Sequence, residues 1–287
     1  MGACLSPVHL NRGDDMTSTD LQKRFRVFAE VIAVVFLLSL VKVAIHWFQL
    51  EFLTLNALFT SAVAAAVFII GFLLQGVLSD YKESDRIPTE LRSALEAIHE
   101  DCRMFSRTQP TFDLGKLRHN MAGLVSCFQE AVKGPGDTDM RPVLAHLNAI
   151  SDSIFEVEQL GAPANYIVRL RAEQSIVRRL VFRVTHIQRI QFVPSVHVLV
   201  QSLVFAIVTL LLLLKTEGSP ESSLIFGALS YMFIYSLYLV NTLEQPFRKG
   251  RQSLDDVSLF LLREFEENMK ASVSESLAYP AQERTSS

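Results

Sequence analysis

Cysteine is scarce and scattered. The 287-residue chain has three, Cys4, Cys102 and Cys127. They are odd in number and form no CxxC or Cys/His spacing, which excludes a disulfide framework and a zinc site. No GxGxxG or GxxxxGK[ST] loop is present, so nucleotide chemistry has no phosphate cradle. None of the seven histidines has a partner four residues away, and no Ser, Cys or Asp is placed for a catalytic triad. No enzymatic activity, cofactor or metal is expected. A bias of charge is missing too: 27 Lys and Arg against 30 Asp and Glu leave a net charge of −3, which singles out no nucleic acid or other charged partner. There is no period-2 strand pattern and no internal repeat. No secretory signal is read at the start, because the first apolar run opens only near Val27, after a polar leader of mixed charge.

Apolar residues, by contrast, are plentiful. They make up 49% of the chain and lift its mean hydropathy to +0.27, high for a soluble domain. They gather in four runs, at 27–48, 56–78, 193–214 and 224–243, the pattern of a polytopic membrane protein. Each run is close to the roughly 20 residues a helix needs to cross a bilayer. The second, NALFTSAVAAAVFIIGFLLQGVL, carries no charge and is rich in small residues, which let neighbouring helices approach closely. Within it Phe68 and Phe72 are four residues apart and share one helix face. Several copies around an axis would turn those rings into a hydrophobic constriction; a single packed helix would turn them to lipid.

The rest of the chain divides around these runs. Residues 1–22 form a disordered leader whose MGACLS start fits N-myristoylation at Gly2 with palmitoylation at Cys4. Two anchors together hold a membrane far better than one. Residues 23–79 are a hairpin of two membrane helices joined by the short link QLEFLT. A basic collar (Lys23, Arg24, Arg26) precedes it, Glu30 and Lys42 snorkel at the ends of its first helix, and Trp47 and Phe48 belong to an aromatic belt. Residues 80–191 turn hydrophilic with helical periodicity. Thr89 behind Pro88 is expected to cap a new helix, KGPGDTD breaks another, and a further helix ends near Gly161. A long helix bearing Arg169, Arg171, Arg178, Arg179, Arg183 and Arg189 then leads back to the membrane. It reads as a salt-bridged face, or as the lining of an anion vestibule. Residues 192–243 are the second hairpin, 244–271 an amphipathic segment, and 272–287 a disordered tail. Lys and Arg crowd the leader, the 80–191 segment and the region after Leu243, so both termini and the helical block are placed in the cytosol.

This layout resembles a bestrophin. Phe68-Ile69-Ile70-Gly71-Phe72 is similar to the F-x-x-G-F of bestrophin neck helices, with Ala64 one turn earlier where those channels place a further apolar neck residue. Glu244-Gln245-Pro246-Phe247 followed by Leu254-Asp255-Asp256 resembles the segment after the family's last membrane helix. The resemblance implies an all-α membrane protein of four transmembrane helices in two hairpins plus a helical cytosolic domain. It further implies a homopentamer in the lipid bilayer whose axial pore, lined by Ala64, Phe68 and Phe72, passes small monovalent anions such as chloride or bicarbonate. Two features depart from animal bestrophins. Arg248-Lys249-Gly250-Arg251 stands where those proteins carry an acidic calcium clasp, and SDYKESDRIPTEL replaces their aromatic-rich neck exit. Both bring the chain nearer to the bestrophin-like proteins of bacteria, plants and protists. The alternative is a non-conducting membrane scaffold whose helical block binds a partner.

Overall fold

A computed structural model describes residues 18–133, 139–189, 194–216, 220–244, 247 and 257–278. Gly2, Cys4 and the 248–256 stretch lie outside the described residues. Eight helices run through the described chain: α1 (Ser18–Trp47), α2 (Ala57–Thr108), α3 (Leu114–Lys133), α4 (Arg141–Gln159), α5 (Ala164–Arg189), α6 (Pro194–Leu213), α7 (Pro220–Leu243) and α8 (Phe260–Ala278). Helix α1 starts at Ser18, inside the expected leader, and α8 continues seven residues into the expected tail.

Two layers result. In the first, Ala66 and Ile70 of α2 pack with Val200, Val204, Ile207, Val208 and Leu211 of α6 and with Phe226 and Phe233 of α7. The α6 positions recur at i, i+4, i+7, i+8 and i+11, a stripe that turns one side of an apolar helix inward. Within this layer helices α1 and α2 pack against α6 and α7 rather than against each other. Phe28 of α1 meets Tyr231 of α7 edge-on at 6.2 Å. The second layer is a helical block whose core joins Leu91, Leu95 and Ile98 of α2, Leu117, Met121 and Phe128 of α3, Leu147, Ile150 and Ile154 of α4, Leu170 and Val181 of α5, and Leu262 and Phe265 of α8. Gly161 ends α4 at φ +87°, a left-handed conformation that glycine adopts without strain.

Helix α2 ties the layers together. Asn56 caps its start, accepting from the Phe59 amide at 2.8 Å. No second helix begins at Thr89: α2 runs 52 residues, straight through Pro88. At about 1.5 Å per residue it is roughly 78 Å long, far more than a ~30 Å hydrocarbon core. Its first part therefore belongs to the membrane layer and its remainder to the block. Proline inside a helix costs about 3 kcal/mol, but here Ile87, Pro88, Leu91, Ala94 and Leu95 are all buried. Burying several large side chains at about 1.5–3 kcal/mol each outweighs the missing hydrogen bond. Buried anchors recur every seven residues, at Ile70, Val77, Ser84, Leu91 and Ile98, so one face of α2 is held against the protein from end to end.

Lys42 does not snorkel. It is buried, and its Nζ lies 2.7 Å from Glu51 Oε1 and donates to the carbonyls of Leu212, at 3.0 Å, and Leu214. These carbonyls end α6, where helix oxygens lack internal partners. Glu51 also accepts from the Thr216 amide at 3.1 Å and hydroxyl at 3.2 Å, and lies 3.2 Å from His46 Nδ1. A short parallel bridge pairs Leu53 with Leu214. The links α1–α2 and α6–α7 are thus clasped to each other on the side away from the block. Burial works against the charged Glu51 carboxylate, but the hydrogen bonds from Lys42, Thr216 and His46 prevail and hold it down at about 2.

Candidate functional site

The face of α2 opposite its buried anchors has no partner among the described residues. Ala64, Phe68 and Phe72 follow one another at four-residue steps on that side, and all three are exposed, the rings by 74% and 73%. A Cβ added at Gly71 or Gly76 would meet nothing within 4 Å. Ser61, Ala65, Gln75 and Ser79 complete the exposed stripe. Its composition separates it from the exposed side of α1, where Phe36, Leu37, Leu40, Val43 and Trp47 stand out. Large apolar side chains suit lipid; small and polar ones, with two rings among them, suit close approach of protein or water. Gln75 and Ser79 escape a motif search because they matter only once α2 is known to present the same face beyond the rings.

The other sequence candidates resolve differently. On α5, Arg169 pairs with Asp101 at 3.1 Å and Arg183 with Glu83 at 2.8 Å, while Arg178 donates to Asn148 at 3.2 Å and Arg171 to Gln174 at 3.3 Å. Most of this arginine row is therefore engaged inside the chain, in two cases with acids of α2. After the fourth apolar helix, Glu244 lies 3.0 Å from Nδ1 of His197 and so ties the end of α7 to the start of α6. Phe247 is buried in the core of the block. That histidine was not legible as a partner, since 47 residues separate the two.

Two at least partly buried groups of the block illustrate its chemistry. The Cys102 thiol is buried and pushed up to about 12 by that burial and by neighbouring Asp101, so it stays protonated at neutral pH. Burial, with the Arg118 and Arg103 charges, holds His99 down at about 4, and its Nε2 accepts from Arg118 Nε at 3.1 Å. Among the described residues no three metal-ligating side chains converge.

Helices α1, α2 and α7 are each long and apolar enough to cross a bilayer, and α6 adds a shorter apolar stretch, His197–Leu213. Together with the helical block they define an all-α integral membrane protein. No protein-family model and no curated protein matches the sequence. Solved structures do match. A crystal structure described as a membrane protein variant superposes with a TM-score of 0.72 at 13% identity, covering 90% of this chain and 99% of that one. Two point variants of a bacterial bestrophin homologue from Klebsiella pneumoniae give 0.73 and 0.71, both at 13% identity, covering 86% and 85% of this chain and 98% of each of theirs. The chain has the bestrophin fold.

Proposed function

We propose that this chain forms a homopentameric, bestrophin-like channel that passes small monovalent anions, chloride or bicarbonate, passively across a bilayer. The observation that carries the reading is the unpartnered face of α2, with two aromatic rings on an otherwise small and polar stripe. Around a shared axis this face encloses a conduit, and Phe68 and Phe72 make its neck. An apolar ring sheds water readily and gates by dewetting. The edges of the rings carry partial positive charge and face a partly dehydrated anion favourably. Both termini and the block lie on the cytosolic side in this reading.

Purified protein in a planar bilayer under asymmetric salt tests it, since the reversal potential reports conduction and selectivity together. Phe68→Ala with Phe72→Ala removes two rings per subunit. Open probability should rise and selectivity should weaken. Because each ring is about three-quarters exposed in the protomer, truncation should cost folding roughly 1 kcal/mol or less, well below the 3–5 kcal/mol of a buried Phe. Pentamers that lose stability while their currents stay unchanged would move the pore off this face. A monomer or dimer in mild detergent, or pentamers that never conduct, would favour the scaffold reading.

A further inference from the structure

The exposed face of α2 does not stop at the membrane. From Ser61 it passes through Ala65, Phe68, Phe72, Gln75, Ser79, Lys82, Arg86, Thr89 and Ser93, in alternating steps of four and three residues, and every one of these positions is exposed. That alternation keeps residues on one side of a helix, drifting only about 20° per seven residues. It also stays in step with the buried anchors at Ile70, Val77, Ser84 and Leu91 on the opposite side. Since the helix is unbroken through Pro88, Lys82 and Arg86 stand on the same face as the two rings, roughly 15 and 21 Å beyond Phe72 at ~1.5 Å per residue.

These two are the first charges met on that face after the rings. Both are exposed, and neither makes a hydrogen bond or an ion pair among the described residues. Of the acids around them, one is engaged elsewhere. Glu83 is held by Arg183 of α5 at 2.8 Å, Asp80 lies about 160° around the helix from Lys82, and Asp85, three residues after Lys82, lies about 60° from it at ~100° per residue. The first two charges on this face beyond the rings are thus positive and free of any ion pair among the described residues, with Glu90 following four residues after Arg86.

We infer that Lys82 and Arg86 are specificity-determining residues, forming two stacked basic rings at the inner mouth of the neck that concentrate anions there. The inference rests on the pore reading above. Rings of Lys and Arg select anions in the way rings of Asp and Glu select cations, and a charged, narrow mouth focuses its field on the entering ion. The rings act on which ion reaches the neck; the phenylalanines act on whether anything passes.

Planar-bilayer recordings in asymmetric potassium chloride test this with full-length protein. Neutralising the pair, Lys82→Gln with Arg86→Gln, should move the reversal potential from the chloride value toward zero, and Lys82→Glu with Arg86→Glu should carry it toward the potassium value. Removing the same number of charges off the stripe, at Arg103 and Lys116, should leave it in place. Wild-type protein supplies an arm that needs no variant. Screening shortens from about 10 Å at 0.1 M salt to about 3 Å at 1 M, so anion preference should fall as both baths are raised together. Variants that conduct with an unmoved reversal potential, or a wild-type preference independent of salt, would overturn the inference while leaving the pore in place. If substitution of Phe68 and Phe72 also leaves currents untouched, or the wild type is silent, the pore reading falls and this inference falls with it.

Discussion

Replacing Lys42 by methionine keeps the length of the side chain and removes its charge. In the folded protein that ammonium neutralises Glu51 at 2.7 Å and caps two terminal carbonyls of α6. Both side chains of the pair are less than 10% exposed, so water cannot take over. Breaking a buried pair from one side strands the other charge, which costs about 3–5 kcal/mol. The partner variant, Lys42→Met with Glu51→Leu, removes both charges and should cost clearly less than the sum of the single changes, giving a coupling energy of about 1–3 kcal/mol. Reversible unfolding in mixed detergent, followed by helix signal, measures all three. The pH dependence adds a sign. Glu51 is held below its ordinary value of 4.5, at about 2, so its contribution is complete above 4.5 and is lost as pH falls toward 2. The Glu51 contribution on this account is level between pH 7 and pH 5. In Lys42→Met the carboxylate loses its foremost stabilising hydrogen bond, and the decline begins at higher pH. A single variant that costs less than ~1 kcal/mol, the range of an exposed pair, would refute the reasoning, as would strict additivity in the cycle.

Two further outcomes follow. His99 is kept neutral by burial and by Arg118 and Arg103, at about 4 against an ordinary 6.5. Its contribution is full above pH 6.5 and lost as pH falls through 4, and His99→Gln, which keeps an acceptor for Arg118, should flatten that acid limb in thermal unfolding profiles. At the N-terminus, Gly2 and Cys4 should each carry an acyl chain when the protein is made in a eukaryotic host, visible by intact mass; an unmodified N-terminal peptide from native membranes would end that proposal. Gly2→Ala should leave the protein in the bilayer, because its spanning helices bind far more strongly than acyl chains.

Much of the architecture is legible because apolar runs and helical periodicity are local signals. The four runs and the helix end at Gly161 follow from residues within a turn or two of each other. Two features are not local. The passage of α2 through Pro88 depends on Ile87, Leu91 and Leu95 being buried by helices distant in sequence, and the abrupt change of composition at Ser79 hides a seven-residue register that continues across it. Likewise the partners of Lys42 are nine residues away in Glu51 and 170 away at Leu212, so nothing in its own neighbourhood distinguishes it from a lysine reaching for the interface. The candidate site was readable as a pair of rings on one face; that this face stays empty along the whole helix is a property of the packed chain.

The unbroken length of α2 has a mechanical side. Its inner half is gripped by the block through Ile87, Leu91, Leu95 and Ile98, while Phe68 and Phe72 ride on its outer half. With Pro88 as fulcrum, the two rings sit about 30 and 24 Å out along the arm at ~1.5 Å per residue. A tilt of about 5° imposed on the block would sweep them sideways by roughly 2–3 Å, the width of a water molecule. In the proposed channel, leverage of this kind lets a small rearrangement among the helices of the block change the bore of a neck it never touches.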